Sequence, residues 1–417
     1  MTRLLLLGPL AAVACGGSSP SSPPPAELRS DKVRVTAPSV TAEDASVLAD
    51  GNLAFAIDMH LALRSRETGN FIFSQTSMST ALAMLYAGAA TTTAAEMAGA
   101  LHFDLPAERL HPAFNALDLA LTTPPAGGDA AAFRLAIANS TWVQDGFPVL
   151  PAYLDTLAEN YGAGLFVQDF ATKSEPARQA INGWVSDRTE DHIPELFPEG
   201  TINPLTRLVL ANAVFFHGDW KTPFIHDRTG NAIFHALSGD VSVPTMRGEH
   251  NAAITSGTGW TAADLDYVGD TTSMIVVVPD AGTFDSFEAG MTAEGMRAIL
   301  AGARSSTVDL IMPKFEFATA LDLNDTLSAL GMPEAFSTGA DFSGIDGGRD
   351  LHVQGVIHKA IIAVDEKGTT AAAATGITVG TTSVPPTLVV DRPFLFFIRH
   401  NSTGAILFQG RVVDPTK

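Results

Sequence analysis

Cys15, the chain's single cysteine, is the one residue whose type and setting point to a specific covalent chemistry. It closes the stretch "MTRLLLLGPLAAVAC", with a positive start at Arg3, an apolar run from Leu4 and small residues before the thiol. That is the form of a bacterial secretion signal, which is removed on export. The ending "AVAC", in place of an Ala-x-Ala site, resembles a lipoprotein signal, where cleavage leaves the Cys sulfur to carry a lipid. Ala12 stands where such motifs usually have Leu, so an ordinary signal with an incidental Cys stays open. The expectation is a signal over 1–14, a lipid anchor at Cys15, and export to the periplasmic face, the cell surface or beyond. No other Cys exists to pair, so no disulfide can hold the fold.

Other chemistries find no residues to carry them. The sequence has no G-x-S-x-G elbow, S-x-x-K, H-E-x-x-H, P-loop or G-x-G-x-x-G. Its eleven His are scattered, without a carboxylate at metal-ligand spacing. "DFSGIDGGRD" (341–350) is acidic and Gly-rich but lacks the alternation of a calcium loop, and reads as a surface turn. Neither an enzyme nor a cofactor or metal is expected. The formal charge of −20 and pI near 4.8 argue against nucleic acid, heparin-like polyanions and a bare anionic membrane as partners.

The elements that must carry any function form one large unit. "GGSSPSSPPPAELRS" cannot build a core and reads as a solvated tether, giving a tether over 15–44 and a domain over 45–417. In "NLAFAIDMHLALRS" the apolar Leu53, Ile57 and Leu61 have the spacing of a buried helix face, and "SMSTALAMLYAGAA" reads as a second helix. "SMIVVVPD", "STVDLIMPKFEF", "PFLFFIRH" and "AILFQGRVV" read as strands, the last two joined by the turn "NSTG". Helices and strands mix without a repeat, which predicts a single α+β domain.

One segment fits neither helix nor strand. "EKGTTAAAATGITVGTTSVPPT" (366–387) sets four Ala, the best helix former, among Thr, Val, Gly and Pro. From Gly368 to Pro386 it has no charge and nothing larger than Ile377. By itself this also suits a helix turn or an inert linker.

Five stretches in order resemble the serpin family. "NFIFSQTSMSTALAMLYAGAATTTAAEM" (70–97) is similar to its second helix, and "LANAVFFHGDWKTPF" (210–224) to its strand-and-turn signature. "VIHKAIIAVDEKGT" (356–369) resembles the strand feeding the bait loop, 366–387 the hinge and reactive-centre loop, and "DRPFLFFIRHNSTGAILFQGRVVDP" (391–415) the C-terminal strands. The resemblance implies a serpin fold of about nine helices and three sheets with an exposed loop. It implies a suicide inhibitor, a monomer, whose partner is a serine protease held as a covalent acyl complex.

The hinge would be Glu366, Lys367, Gly368, Thr369 and Ala371, Ala372, Ala373 and Ala374. With the loop matched to inhibitory members without a gap from Gly368 to Pro386, the resemblance implies a bait bond at Thr382-Ser383, with Val379 or Val384 as alternatives. Thr in the bait position suits an elastase-like or subtilisin-like pocket. Thr369 would be the first loop side chain to enter the sheet. Ser74, Ser77, Asn212 and His358 match the family's "shutter", and Trp220 its "breach". Gln75 departs from the family's usual Pro. Asn139 and Asn401 begin N-x-[ST] sequons. A serpin that binds without inhibiting is the alternative, but such members usually have bulky, charged or Pro residues in the hinge.

Overall fold

A computed structural model describes residues 25–123, 132–301, 304–369 and 385–417, with backbone alone at 304–306. The signal, Cys15, Ala371 to Ala374, Val379, Thr382, Ser383 and Val384 lie outside the described residues.

Ten α-helices are present among the described residues. They are α1 (Ala42–Arg64), α2 (Gln75–Tyr86), α3 (Thr91–Leu101), α4 (Ala107–Thr122), α5 (Pro151–Tyr161) and α6 (Phe170–Arg188), then α7 (Phe284–Ala289), α8 (Ala293–Ala301), α9 (Asn324–Ala329) and α10 (Ser343–Asp346). Local signals set the starts of those that matter here. Thr41 and Asp44 close a capping box at α1, and the Ser74 hydroxyl accepts from the Ser77 amide at the start of α2.

Seven strands form the large sheet, in the order β1 (Ala26–Leu28), β4 (Leu165–Gln168), β3 (Phe133–Gln144), β5 (Leu208–Asp219), β13 (Gly368–Thr369), β12 (Gly355–Val364) and β11 (Phe315–Asp322). The second hydrogen-bonded array follows the order β14 (Thr387–Val389), β10 (Arg304–Pro313), β7 (Gly239–Gly257), β8 (Trp260–Asp266), β9 (Thr272–Pro279), β15 (Phe394–His400), β16 (Ile406–Val412) and β2 (Phe71–Phe73). A further strand, β6 (Gly230–Ala236), pairs with the start of β7, whose far end pairs with β8. The long β7 therefore belongs to two sheet sections, and with the large sheet these make the three expected.

Alternation along β5 shows how the layers pack. Val214 and Phe216 face the second array and share a core with Val276, Phe396 and Phe408. Ala211 and Ala213 face outward beneath α6, with Ile181 and Val185. The segment "STVDLIMPKFEF", read as one strand, divides after Pro313: β10 pairs in the second array and β11 in the large sheet. Proline has no amide proton for the ladder, so a crossing between sheets is natural there.

The tether is shorter than the expected 15–44. Ala26–Leu28 pairs antiparallel with Leu165–Val167, and the Val35 amide donates to the Glu159 carbonyl at 2.9 Å. Three residues are too few to show an alternating pattern, so the Pro/Ser-rich surroundings masked a real edge strand.

Candidate functional site: the hinge and the seam of the large sheet

β5 and β12 are parallel neighbours along one half of their length only. Val209 to Val214 pair with Gly355 to Ala360. At the other end β13 lies between them, with Thr369 opposite Gly218 on β5 and Val364 on β12. No ladder pairing among the described residues joins 215–217 to 361–363. The large sheet thus holds a seam, closed at one end by direct pairing and wedged at the other by the hinge.

Thr369 is therefore already inside, where the sequence reading had it waiting to enter. It is 1% exposed, and its hydroxyl lies 2.7 Å from that of Tyr267. Tyr267 stacks on Trp220 with ring centroids 4.6 Å apart. Trp220 holds the turn into the hinge: its indole N–H donates to the Asp365 carbonyl at 3.0 Å and its amide to the Lys367 carbonyl at 2.6 Å. The Phe224 amide donates to the Glu366 carbonyl at 2.7 Å. Two glycines permit this closeness, since a Cβ on Gly368 would lie 2.0 Å from the Gly218 carbonyl oxygen. A Cβ on Gly218 would lie 2.8 Å from the rings of Phe216 and Tyr267.

The Glu366 carboxylate pairs with Lys314, the residue at the β10–β11 crossing, at 2.7 Å. Burial pushes this carboxyl up most, but the hydrogen bond and charge of Lys314 together with further hydrogen bonds hold it below the usual range.

At the closed end the sheet is latched by side chains. His358 on β12 is fully buried and donates from Nδ1 to the Asn212 side-chain oxygen on β5, directly across the seam. Its Nε2 accepts from the Ser74 amide at 3.2 Å. Asn212 donates to the Ser77 hydroxyl at 2.7 Å and also to Asn139 Oδ1 on β3, while Ser77 donates to Asn139 at 3.0 Å. Ser74, Ser77, Asn212 and His358 are thus brought together. Trp220 stands apart at the hinge end.

Sequence reasoning missed two members. Asn139 was seen only as a sequon, and its place opposite Asn212 in the β3–β5 register is invisible without strand pairing. Tyr267 sits outside any regular strand, joined to Trp220 by an isolated bridge. At the position that departs from Pro, Gln75 is buried and donates to the Ile406 carbonyl at 2.5 Å.

The serpin family model, described as serine protease inhibitor, matches residues 50–415. This chain belongs to the serpin family. It is 34% identical to the leukocyte elastase inhibitor of Homo sapiens over 88% of this chain and 99% of that one. It is 35% identical to an uncharacterised serpin-like protein of Thermococcus kodakarensis, over 87% and 84% of the two chains. Among solved structures, the native state of the thermophilic serpin tengpin superposes with a TM-score of 0.82 at 26% identity, covering 94% of this chain and all of that one. Human thyroxine-binding globulin gives 0.81 at 29% identity, covering 90% of this serpin and all of that chain.

The latch has a built-in acid sensitivity. Burial holds His358 down to about 3, and geometry agrees, because a proton on Nε2 would face the Ser74 N–H. A base whose folded pKa is depressed contributes stability above its unfolded value near 6.5, lost as pH falls toward 3. Between pH 6 and 4 the slope from this group approaches about 1.4 kcal/mol per pH unit. His111 and His250, both also lowered to about 4, titrate alike with or without the latch. Urea unfolding of intact wild type and His358→Gln across this range should give a flatter pH dependence for the variant. Parallel curves would remove His358 from the account.

Proposed function

We propose that this serpin is a suicide inhibitor of elastase-like or subtilisin-like serine proteases, acting by insertion of the bait loop into the seam. The observation that supports this most is the wedge itself: Thr369 is buried between β5 and β12, at the position from which a further strand would run along the seam.

The register sets what continued insertion would do. Thr369 faces Gly218, and in an antiparallel pair the two numbers keep a constant sum, 369 + 218 = 587. Ala371, Ala373 and Thr375 would then arrive beside 216, 214 and 212, and Thr382 opposite residue 205. The inward side chains would be small, uncharged groups that neither overpack the sheet nor bring a charge into it. The thirteen residues after Thr369 span about 44 Å as a strand. They would form on the order of ten new backbone hydrogen bonds at a net ~1 kcal/mol each, comparable with the whole stability of an ordinary domain. The new strand must also break the His358–Asn212 hydrogen bond, because it passes between the two residues. Large gain behind a latched barrier defines a kinetically trapped state.

In the chemical step the protease's serine oxygen attacks the Thr382 carbonyl carbon. The C–N bond to Ser383 breaks, the serine proton passes through the protease's base to the leaving amine, and an ester to Thr382 remains. Insertion would then carry the ester-linked protease along the sheet and distort its site before water hydrolyses the bond. The relatives named as leukocyte elastase inhibitors favour a small primary pocket in the target. We further propose that the protein acts as a monomer, exported and held by a lipid on Cys15.

Mixing with an elastase-like protease should give a covalent band of higher mass on an SDS gel. Plain cleavage would favour a serpin that binds without inhibiting. Thr382→Arg should transfer inhibition to trypsin-like enzymes, and the released fragment should begin at Ser383 by mass spectrometry. A start at Gly380 or Pro385 would move the bait bond to Val379 or Val384. Thr369→Arg should leave Thr382 cleavable but abolish the covalent band, since an unpartnered cation cannot occupy the dry position beside Tyr267. Retention of wild-type stoichiometry would contradict insertion. Cys15→Ser should release the protein from membranes, and a variant that still fractionates with them would refute the lipid anchor.

A further inference from the structure

Beneath the hinge lies a histidine that the latch does not use. His250 stands on β7 opposite Val308 of β10, faces the core, and is only 3% exposed. Its imidazole lies against the ring of Phe224, with centroids 4.2 Å apart. Gly248, two residues earlier on the same face, makes room for both rings. A Cβ there would lie 3.0 Å from His250 Nε2 and 3.4 Å from the Phe224 ring. Phe224 in turn packs edge-on to Trp220 at 6.5 Å, and its amide donates to the Glu366 carbonyl at 2.7 Å. One ring contact therefore separates His250 from the residue whose backbone holds the hinge.

The seat suits an uncharged ring. Nε2 is buried and has no hydrogen-bond partner among the described residues. The cavity beside it, with Trp220, Leu265 and Asp266 in its wall, measures about 10 Å³, room for one water at most. The charged groups around it are engaged elsewhere. Asp309 on β10 pairs with Arg247 at 2.6 Å, Lys221 with Asp270 at 2.6 Å, and Glu366 with Lys314 at 2.7 Å. Glu249 alternates to the exposed face of β7, and His226, Asp227 and Arg228 of the turn before β6 are exposed as well. Asp266 on β8 reaches the small cavity, and burial holds its carboxyl above the usual range. A second proton on the imidazole would put a cation against Phe224 without an acceptor in place. Burial accordingly holds His250 down to about 4.

We propose that His250 is a positioning residue for the hinge: its uncharged ring seats Phe224, so that the turn at Glu366 keeps Thr369 in the seam, and a proton on it releases the hinge. The proposal rests on the loop-insertion reading of function. A released hinge must enter the sheet anew, and the delay gives water time to free the protease.

The sign follows from linkage. A base whose folded pKa is depressed contributes stability above its unfolded value near 6.5 and loses it as pH falls, so opening at Phe224 should grow about sevenfold from pH 6 to 5. Amide exchange of the Phe224 N–H in the intact protein, corrected for the intrinsic pH dependence of exchange, reads this directly. Wild type should show that fall in protection. His250→Gln, which cannot take the proton, should show little change over the same range. His358→Gln should keep the wild-type fall, which separates the hinge from the latch. An equal fall in wild type and His250→Gln would overturn the proposal. His250→Lys, which fixes a charge at this place, should be cleaved at Thr382-Ser383 by an elastase-like protease at neutral pH with loss of the covalent band. A folded His250→Lys that traps protease as wild type does would equally overturn it. Failure of the underlying reading is seen separately: exchange at Phe224 would still follow His250 while wild type formed no covalent band.

Discussion

The hydrogen bond from His358 to Asn212 crosses the seam between β5 and β12, the line along which the loop is proposed to enter the large sheet. Everything else in the site is arranged about that crossing. β5 and β12 pair directly on both sides of it, from Val209 with Gly355 to Val214 with Ala360, and further along the hinge residue Thr369 lies between them. The latch is paid for by burial of four polar side chains, Ser74, Ser77, Asn212 and His358, with the half-buried Asn139 beside them, and each finds a partner in the others or in the start of α2. A network of this kind is stable only while complete, because each buried polar group left alone costs about 1–3 kcal/mol. Parting β5 from β12 must break it as a unit, which is what a barrier between two long-lived states requires.

The hinge end works by shape where the latch works by polarity. Gly218 and Gly368 let two backbones approach closely, Trp220 and Tyr267 stack to form a floor, and the Thr369 hydroxyl finds Tyr267. A larger side chain at either glycine would meet backbone or ring atoms at distances real side chains do not occupy. Lys314 ties Glu366 to the point where the chain passes from one sheet to the other. Strain or movement at that crossing would therefore be felt at the first residue of the loop.

Much of this was legible from sequence, for reasons that can be named. α1 showed itself by apolar spacing, and β9, β15 and β16 by short runs of large apolar residues bounded by turns. The bland 366–387 segment was conspicuous because small, uncharged residues at that length suit neither a linker nor a helix. What stayed hidden depended on pairing between distant strands. Asn139 meets Asn212 only through the β3–β5 register, Tyr267 lies in an irregular stretch, and the seat of Thr369 depends on how far β5 and β12 stay together. The edge strand at Ala26–Leu28 was lost for the opposite reason, since its neighbours have the composition of a flexible tether.

The central claim is that the seam admits residues 370–382 in the register fixed by Thr369 opposite Gly218. Amide hydrogen exchange on intact and loop-cleaved protein tests it most directly. The account predicts that cleavage brings strong new protection to 371–381, with added protection at 361–363, which no ladder pairing among the described residues joins to β5. Exchange in those segments that is unchanged by cleavage would contradict it.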